Sequence, residues 1–307
     1  MPSYSTHCIF ARELLPQLYT SVDFDLNEEA LMVGTQGPDI FFFHRVFPWM
    51  PGKSKRKIGS ALHRSKPADI LENMRDYCNK RSKQKDIAKS YVHGFIMHYA
   101  LDRLCHPYVY SLQYKIVEKS PLTNPHTAHN TVEFSMDTYL LNKRYGIAEP
   151  ALFDTACTVC EDEKVLAEIG KLYAYVVPKV LDIEMDESTA ETAVKDMKRV
   201  QAATFDATGM KRKFLYAAET VIAPFSKNYK FSAMLRPRDL EKAKKYGNID
   251  NSNWESPFDN SYHNESFEDL FEIAKLDAKR LIADFSNGAD LYKATNNLSF
   301  LTGVEVK

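Results

Sequence analysis

Cysteine is sparse in this chain. Cys8, Cys78, Cys105, Cys157 and Cys160 are its whole complement among 307 residues, an odd number and too few for a disulfide framework, so reduced thiols are expected. Cys157-Thr158-Val159-Cys160 has C-x-x-C spacing but neither a second pair nor an adjacent histidine, and it carries no redox or zinc assignment. No apolar run is long enough to cross a bilayer, and the start, Met1-Pro2-Ser3-Tyr4-Ser5-Thr6-His7, lacks the basic flank and apolar stretch of a secretory signal. A soluble, cytoplasmic protein is expected. Charge of one sign is missing too. Forty basic residues against 41 acidic ones leave a formal net charge of −1, which excludes a global field for long nucleic acid or anionic membranes and makes any phosphate affinity local.

Alternating β-branched runs, internal repeats and low-complexity linkers are also absent, whereas apolar residues recur at three and four positions through most of the sequence. That pattern predicts an all-α, multi-helical single domain over 1–307. At 44% hydrophobic content the chain can bury a substantial core. A first helix is expected from about Thr6, capped by Ser5 or Thr6 and turning Ile9, Phe10, Leu14 and Leu18 inward. Residues 33–65, broken by Gly34, Gly37, Pro38, Pro48, Pro51, Gly52 and Gly59, read as a long site-building loop. Helices follow at about 67–79 and 86–105, the second ended by Pro107, and then from Asn124-Pro125 to about Tyr145. Further helices are expected near 161–183, 188–206, 208–226, 235–246 and 266–287. Ser188-x-x-Glu191 and Ser266-x-x-Asp269 are capping-box-like starts, Pro178 and Pro224 are kinks or ends, and 247–265 is a loop. The first 145 residues hold the candidate site, and 146–307 supply supporting helices.

Histidine is what the first half has in excess: eight of nine precede residue 130. His98/Asp102 and His129/Glu133 are four apart, so each pair shares a helix face and can grip one ion. His106 continues the first row, drifting by about 40° per step around the helix. One such pair alone is most simply a hydrogen-bonded couple in a helical core. Two pairs change the balance, because each unpaired buried ionisable group costs several kcal/mol unless a cation is present. Imidazole and carboxylate together suit zinc, with manganese or iron open from ligand type alone. No His-Asp dipeptide, no H-E-x-x-H and no complete Walker-type phosphate loop occurs, which excludes the familiar helical phosphohydrolase, zinc protease and NTPase patterns.

Taken in order, Thr6-His7, Gly37-Pro38-Asp39-Ile40-Phe41, Gly59-x-x-x-His63, His98-x-x-x-Asp102, His106 and His129-x-x-x-Glu133 resemble the zinc-dependent phospholipase C family, related in fold to the single-strand-specific fungal nucleases. The resemblance covers roughly the first 145 residues. It implies one zinc held by Asp39, His63, His98 and Asp102, a second by His106, His129 and Glu133, and a third by His7, Asp102 and an amino-terminal residue. Secreted members close that third site with a processed terminus, usually tryptophan, whereas this chain begins Met1-Pro2; His93 and His126 are nearby substitutes. His44 rivals His63 but lacks its Gly-x-x-x-His setting. Paired ions about 3.5–4 Å apart activate a bridging water and clamp phosphoryl oxygens, and the resemblance makes Asp39 the general base.

The expected function is therefore a metal-dependent phosphoesterase of phospholipase C type, with a phospholipid-like or other small phosphate-ester substrate. The alternatives are a noncatalytic metal-binding scaffold and a nuclease or nucleotidase for short substrates. Phe41, Phe42, Phe43, Phe47 and Trp49, followed by Lys53, Lys55, Arg56 and Lys57, are expected to pack under the loop and to form a solvated face; the other reading is an aromatic and cationic lip. Trp254, Tyr262 and His263 either border the pocket or fill a helix-loop surface.

Overall fold

A computed structural model describes residues 4–47, 49–147, 153–222 and 228–306, and these are mainly helical. The architecture is all-α. Among the described residues, twelve α-helices are α1 Tyr4–Ser21, α2 Glu28–Gly34, α3 Lys57–Arg64, α4 Pro67–Lys80, α5 Lys85–Lys119, α6 Pro125–Tyr145, α7 Glu163–Leu181, α8 Glu187–Thr204, α9 Met210–Ile222, α10 Leu240–Lys244, α11 Phe267–Ser286 and α12 Leu291–Thr295. A 3-10 turn, Gly37–Phe43, lies between α2 and α3. The only strands among the described residues, β1 Trp254–Glu255 and β2 Tyr262–His263, pair antiparallel with Trp254 opposite His263. No helix among the described residues is long and apolar enough to cross a membrane.

Helix α5 is the centre, and α1, α2, α4, α6, α7 and α11 pack on it. From Tyr91 to Arg103 every one of its residues is buried. A helix enclosed all round has no polar face to turn to water, so His98 and Asp102 must find partners within the protein. Pro107 does not end it. The helix continues to Lys119, with Gly303 of the carboxy-terminal tail packed on the Pro107 ring and on the Arg103 carbonyl, one turn back, that proline cannot serve. One turn before Pro107, Arg103 pairs with Asp277 of α11 and donates to the Thr295 carbonyl, which clamps tail and helix together.

Several sequence expectations shift in position. Ser5 and Thr6 do not cap α1, which starts at Tyr4; the Asp137 carboxylate of α6 accepts from the Ser5 and Thr6 amides at 3.2 and 2.7 Å. The expected loop 33–65 contains the 3-10 turn and α3, because a helical turn satisfies the backbone groups a buried loop would orphan. Ser188 is not a cap, since α8 begins after Asp186, whereas Ser266 and Asp269 form a full capping box on α11. The predicted 235–246 helix shrinks to Leu240–Lys244, started by the Asp239 cap. Pro178 falls in the last turn of α7, near its end, and Pro224 lies outside the described residues. Hairpin β1–β2 occupies part of the 247–265 loop.

Candidate metal centre

Five segments deliver the site, each fixed by a local cause. His7 rides on the first turn of α1, which Asp137 anchors. Asp39 sits in the 3-10 turn that begins at Gly37, where φ is +49° and a Cβ would lie 2.4 Å from the His98 ring, so only glycine lets this turn close on α5. His63 comes from α3, His98, Asp102 and His106 from α5, and His129 and Glu133 from α6. Just upstream, α2 crosses α5 backbone to backbone: a Cβ on Gly34 would meet the Tyr91 carbonyl at 2.1 Å, and one on Gly94 the Leu31 carbonyl at 2.1 Å. That contact delivers the Thr35 carbonyl to His98.

All eight predicted residues converge, and all are buried. Three groups have ligand atoms close enough to share an ion: His7/His98/Asp102, Asp39/His63/His98 and His106/His129/Glu133. Asp102 is the hub. Its Oδ1 lies 3.3 Å from His7 Nε2, and its Oδ2 lies 3.1 Å from His98 Nε2 and 3.8 Å from His63 Nε2. Asp39 Oδ1 is 3.2 Å from His63 Nε2, and Glu133 Oε1 is 2.9 and 3.6 Å from the Nε2 atoms of His129 and His106.

What these imidazoles do on their far side decides their chemistry. His63 Nδ1 donates to the Gly59 carbonyl at 2.8 Å, His98 to Thr35 at 3.1 Å, His106 to Phe300 at 2.6 Å and His129 to the Gln113 side-chain oxygen at 2.9 Å. A carbonyl oxygen only accepts, so each Nδ1 carries a proton and each ring, when neutral, aims a bare Nε2 inward. Those lone pairs face carboxylate oxygens. Both Asp102 oxygens, Asp39 Oδ1 and the inward nitrogens of His98 and His106 make no hydrogen bond, and neither does either ring nitrogen of His7. Donor atoms crowded this way, in a water-poor interior, need a shared cation or extra protons. The nitrogen and oxygen donor set fits zinc.

Without a cation, the protons come from the network itself. Burial pushes His106 down, but the Asp102 and Glu133 carboxylates win and raise it to about 8. Burial works against ionising Glu133, yet His129 and His106 hold it down to about 2. Asp39 is likewise lowered against burial by His63 and His98, and Asp102 by His98, His106 and His7. In His129 burial prevails over Glu133 and the pKa falls.

A family model for zinc-dependent phospholipase C matches residues 6–180. The chain belongs to that family. Neither a curated protein nor a solved structure matches it. The phospholipase C match spans all eight residues of the cluster, and it stops well before the tail that orients His106.

The other sequence candidates stay outside the cluster. His44 is buried, but its Nδ1 accepts from the Lys55 amide at 3.1 Å on the far side of the loop. His93 sits between the edges of Phe24 and Phe285, and burial lowers it to about 4, so it is a neutral core histidine. His126 is exposed on the first turn of α6. Cys157 and Cys160 are free thiols remote from the cluster, the latter bonded to Glu29. Met1–Ser3, where the family's terminal ligand would arise, lie outside the described residues. The aromatic run divides: Phe41 and Phe43 are buried, Phe42 stacks on His63, and Phe47 stacks on an exposed Trp49. In the late loop, Trp254 is buried against Tyr108 and His263, while Phe258 reaches the site's edge through Tyr110, which packs on His129.

Proposed function

We propose that the chain is a zinc-dependent hydrolase of phosphate diesters, with a phospholipid-like substrate. A single observation carries the reading: tautomer-locked imidazoles turn unprotonated nitrogens onto buried carboxylates, an arrangement that a divalent cation stabilises and an empty site does not. In this reading Asp39, His63, His98 and Asp102 hold one ion. His106, His129 and Glu133 hold a second, and His7 with Asp102 contributes to a third. Residues 1–307 act as one domain.

When bound, zinc supplies Lewis-acid charge at the phosphoryl oxygens and acidifies a water. The protein's own groups do the rest. Asp39, kept ionised by His63 and His98, orients the attacking water and accepts its proton. Thr35, Gly59, Gln113 and Phe300 hold the rings at fixed angles through their oxygens, so the site is set before substrate arrives. The Phe300 ring, packed on His63 and His98, keeps bulk water off that side.

The test is zinc analysis of protein purified without chelator, followed by chromogenic phosphodiesters and monoesters with and without EDTA. EDTA-sensitive diester cleavage that Asp39→Asn abolishes while zinc content stays is the expected result. Bound zinc with no turnover of any ester would leave a metal-binding scaffold instead.

A further inference from the structure

The charge balance of the whole chain conceals a strong local segregation. Residues 40–68 contain seven basic side chains and no acid, and residues 207–238 contain seven basic side chains and one acid, Glu219. Glu219 is buried and spent on the Ser232 amide, which accounts for the only negative charge in the second stretch.

Helix α9 lies in that second stretch and is turned inside out. Met210, Phe214, Ala217 and Val221 fall within about 60° around its axis. They face solvent: Met210 is 64% exposed, Phe214 74% and Val221 78%. Lys213 and Lys211, both exposed, flank the stripe on either side. The helix is anchored on its opposite side by Glu219 and by Arg212, whose Nε donates to the Ser232 carbonyl at 3.3 Å, and at its start by Asp206 and by Lys211, whose Nζ donates to the Phe205 carbonyl at 2.7 Å. A helix held by its polar side, with its apolar side outward and lysines along the margins, has the build of an interfacial helix.

Its surroundings extend the same surface toward the metal centre. Lys230 places its ammonium 4.2 Å from the Tyr216 ring, and its amide donates to Thr127 Oγ1 at 2.9 Å, two residues before His129. Tyr229, beside the exposed Phe231, has its hydroxyl's pKa raised by burial, an effect opposed by Asn130 and by the nearby Arg56 guanidinium. Arg56 begins the link to the first basic stretch, where Trp49 is 76% exposed on top of Phe47. Indole at the rim of a cationic, apolar surface is what a headgroup region favours.

We propose that α9, together with the Trp49–Lys57 segment, docks the protein on an anionic phospholipid surface. The stripe enters the headgroup boundary, and Lys213, Lys230 and Arg56 meet lipid phosphates. A second copy of the chain fits less well, because stripe-to-stripe contact would set the two lysine margins against each other. The proposal rests on the phosphodiesterase reading for what is cleaved, and it adds where the substrate is met.

The test is flotation with phosphatidylcholine vesicles containing or lacking phosphatidylserine, alongside tryptophan emission. Trp49 is one of two tryptophans, and the other, Trp254, is buried, so a blue shift reports Trp49. Binding should require phosphatidylserine, weaken with salt and bring the blue shift. In the combined Met210→Ser, Phe214→Ser, Val221→Ser variant it should fall at least about tenfold, with cleavage of a soluble chromogenic diester unchanged. Absence of binding, equal binding by the variant, or sedimentation showing a dimer that the variant dissolves would each overturn docking. Cleavage without docking leaves the chemistry standing; docking without cleavage refutes the chemistry alone.

Discussion

Asp102→Asn is the sharpest perturbation of the cluster, since it changes charge at the hub with almost no change of volume. The carboxylate lies 3.1 to 3.8 Å from the ring nitrogens of His7, His63, His98 and His106. If cations occupy the cluster as proposed, the amide removes a ligand charge shared by two of the three ions. Breaking a buried charge pair costs about 3–5 kcal/mol. At the low end of roughly 2–4 °C per kcal/mol for a chain of this size, the zinc-loaded variant should melt about 6–10 °C lower. The control is the same comparison in EDTA at pH 9. By that pH His106, raised to about 8, has lost its proton, and Asp102 faces its neutral ring. The amide then relieves repulsion, and the two proteins should melt within about 3 °C of each other. Zinc analysis should show the variant keeping the ion at His106, His129 and Glu133 while losing the rest. Equal destabilisation with zinc and with EDTA would refute the reasoning, because Asp102 would then be part of a structural ion network that needs no metal.

Gln113→Ala should weaken zinc by about 10–100-fold at the His129 group, read by competition with a chromogenic chelator, because His129 loses the acceptor that fixes its tautomer. Gly37→Ala, at φ +49° against the His98 ring, should cost about 1–3 kcal/mol in urea unfolding and reduce zinc content. The metal-free protein should be most stable near pH 6.5 in urea titrations, because His93, held down to about 4 by burial, and the lowered His129 cost stability as pH falls below their ordinary 6.5. His106 is raised to about 8 from an ordinary 6.5, so its contribution is full below 6.5 and disappears as pH rises through 8. Glu133 is lowered to about 2 from 4.5, so its contribution is full above 4.5 and disappears as pH falls toward 2. Zinc should reverse the alkaline loss, since deprotonated imidazole is the form that binds.

The ligand-type residues were legible because their spacing carries their geometry. His98 and Asp102, and His129 and Glu133, share helix faces by periodicity alone, and the order of motifs pointed to the family. The partners that orient them were not legible. Gln113 lies on the same helix as His106 and meets His129 across the α5–α6 contact, a neighbour relation no local pattern encodes. Gly59 is the exception: a ring bonded to the carbonyl four residues earlier on its own helix is implicit in Gly59-x-x-x-His63. The Pro107 expectation failed for a tertiary reason, since packing from the tail and α11 outweighs one missing backbone bond. Helix α9 was visible as a helix, but not its orientation. Sequence periodicity finds an apolar stripe, and only the surrounding contacts say whether it faces core or solvent.

The second half matters to the site more than its generic sequence implies. The family match ends at residue 180, yet the Phe300 carbonyl accepts a hydrogen bond from His106 Nδ1 and the Phe300 ring packs on His63 and His98. Phe300 is held in turn by Tyr99, whose hydroxyl donates to the Leu298 carbonyl at 2.7 Å, and by Arg103, locked onto Asp277. Asp102 and Arg103 are adjacent on α5 and meet different partners, one in the cluster and one in the tail. The tail therefore reads the same helix turn that bears the hub carboxylate, and a displacement of one is felt by the other. A cluster whose imidazoles come from four helices requires those rings to be fixed from outside, and the carboxy-terminal segment supplies that constraint for His106. The chemistry-bearing residues lie early in the chain, while part of the rigidity they depend on is encoded nearly two hundred residues later.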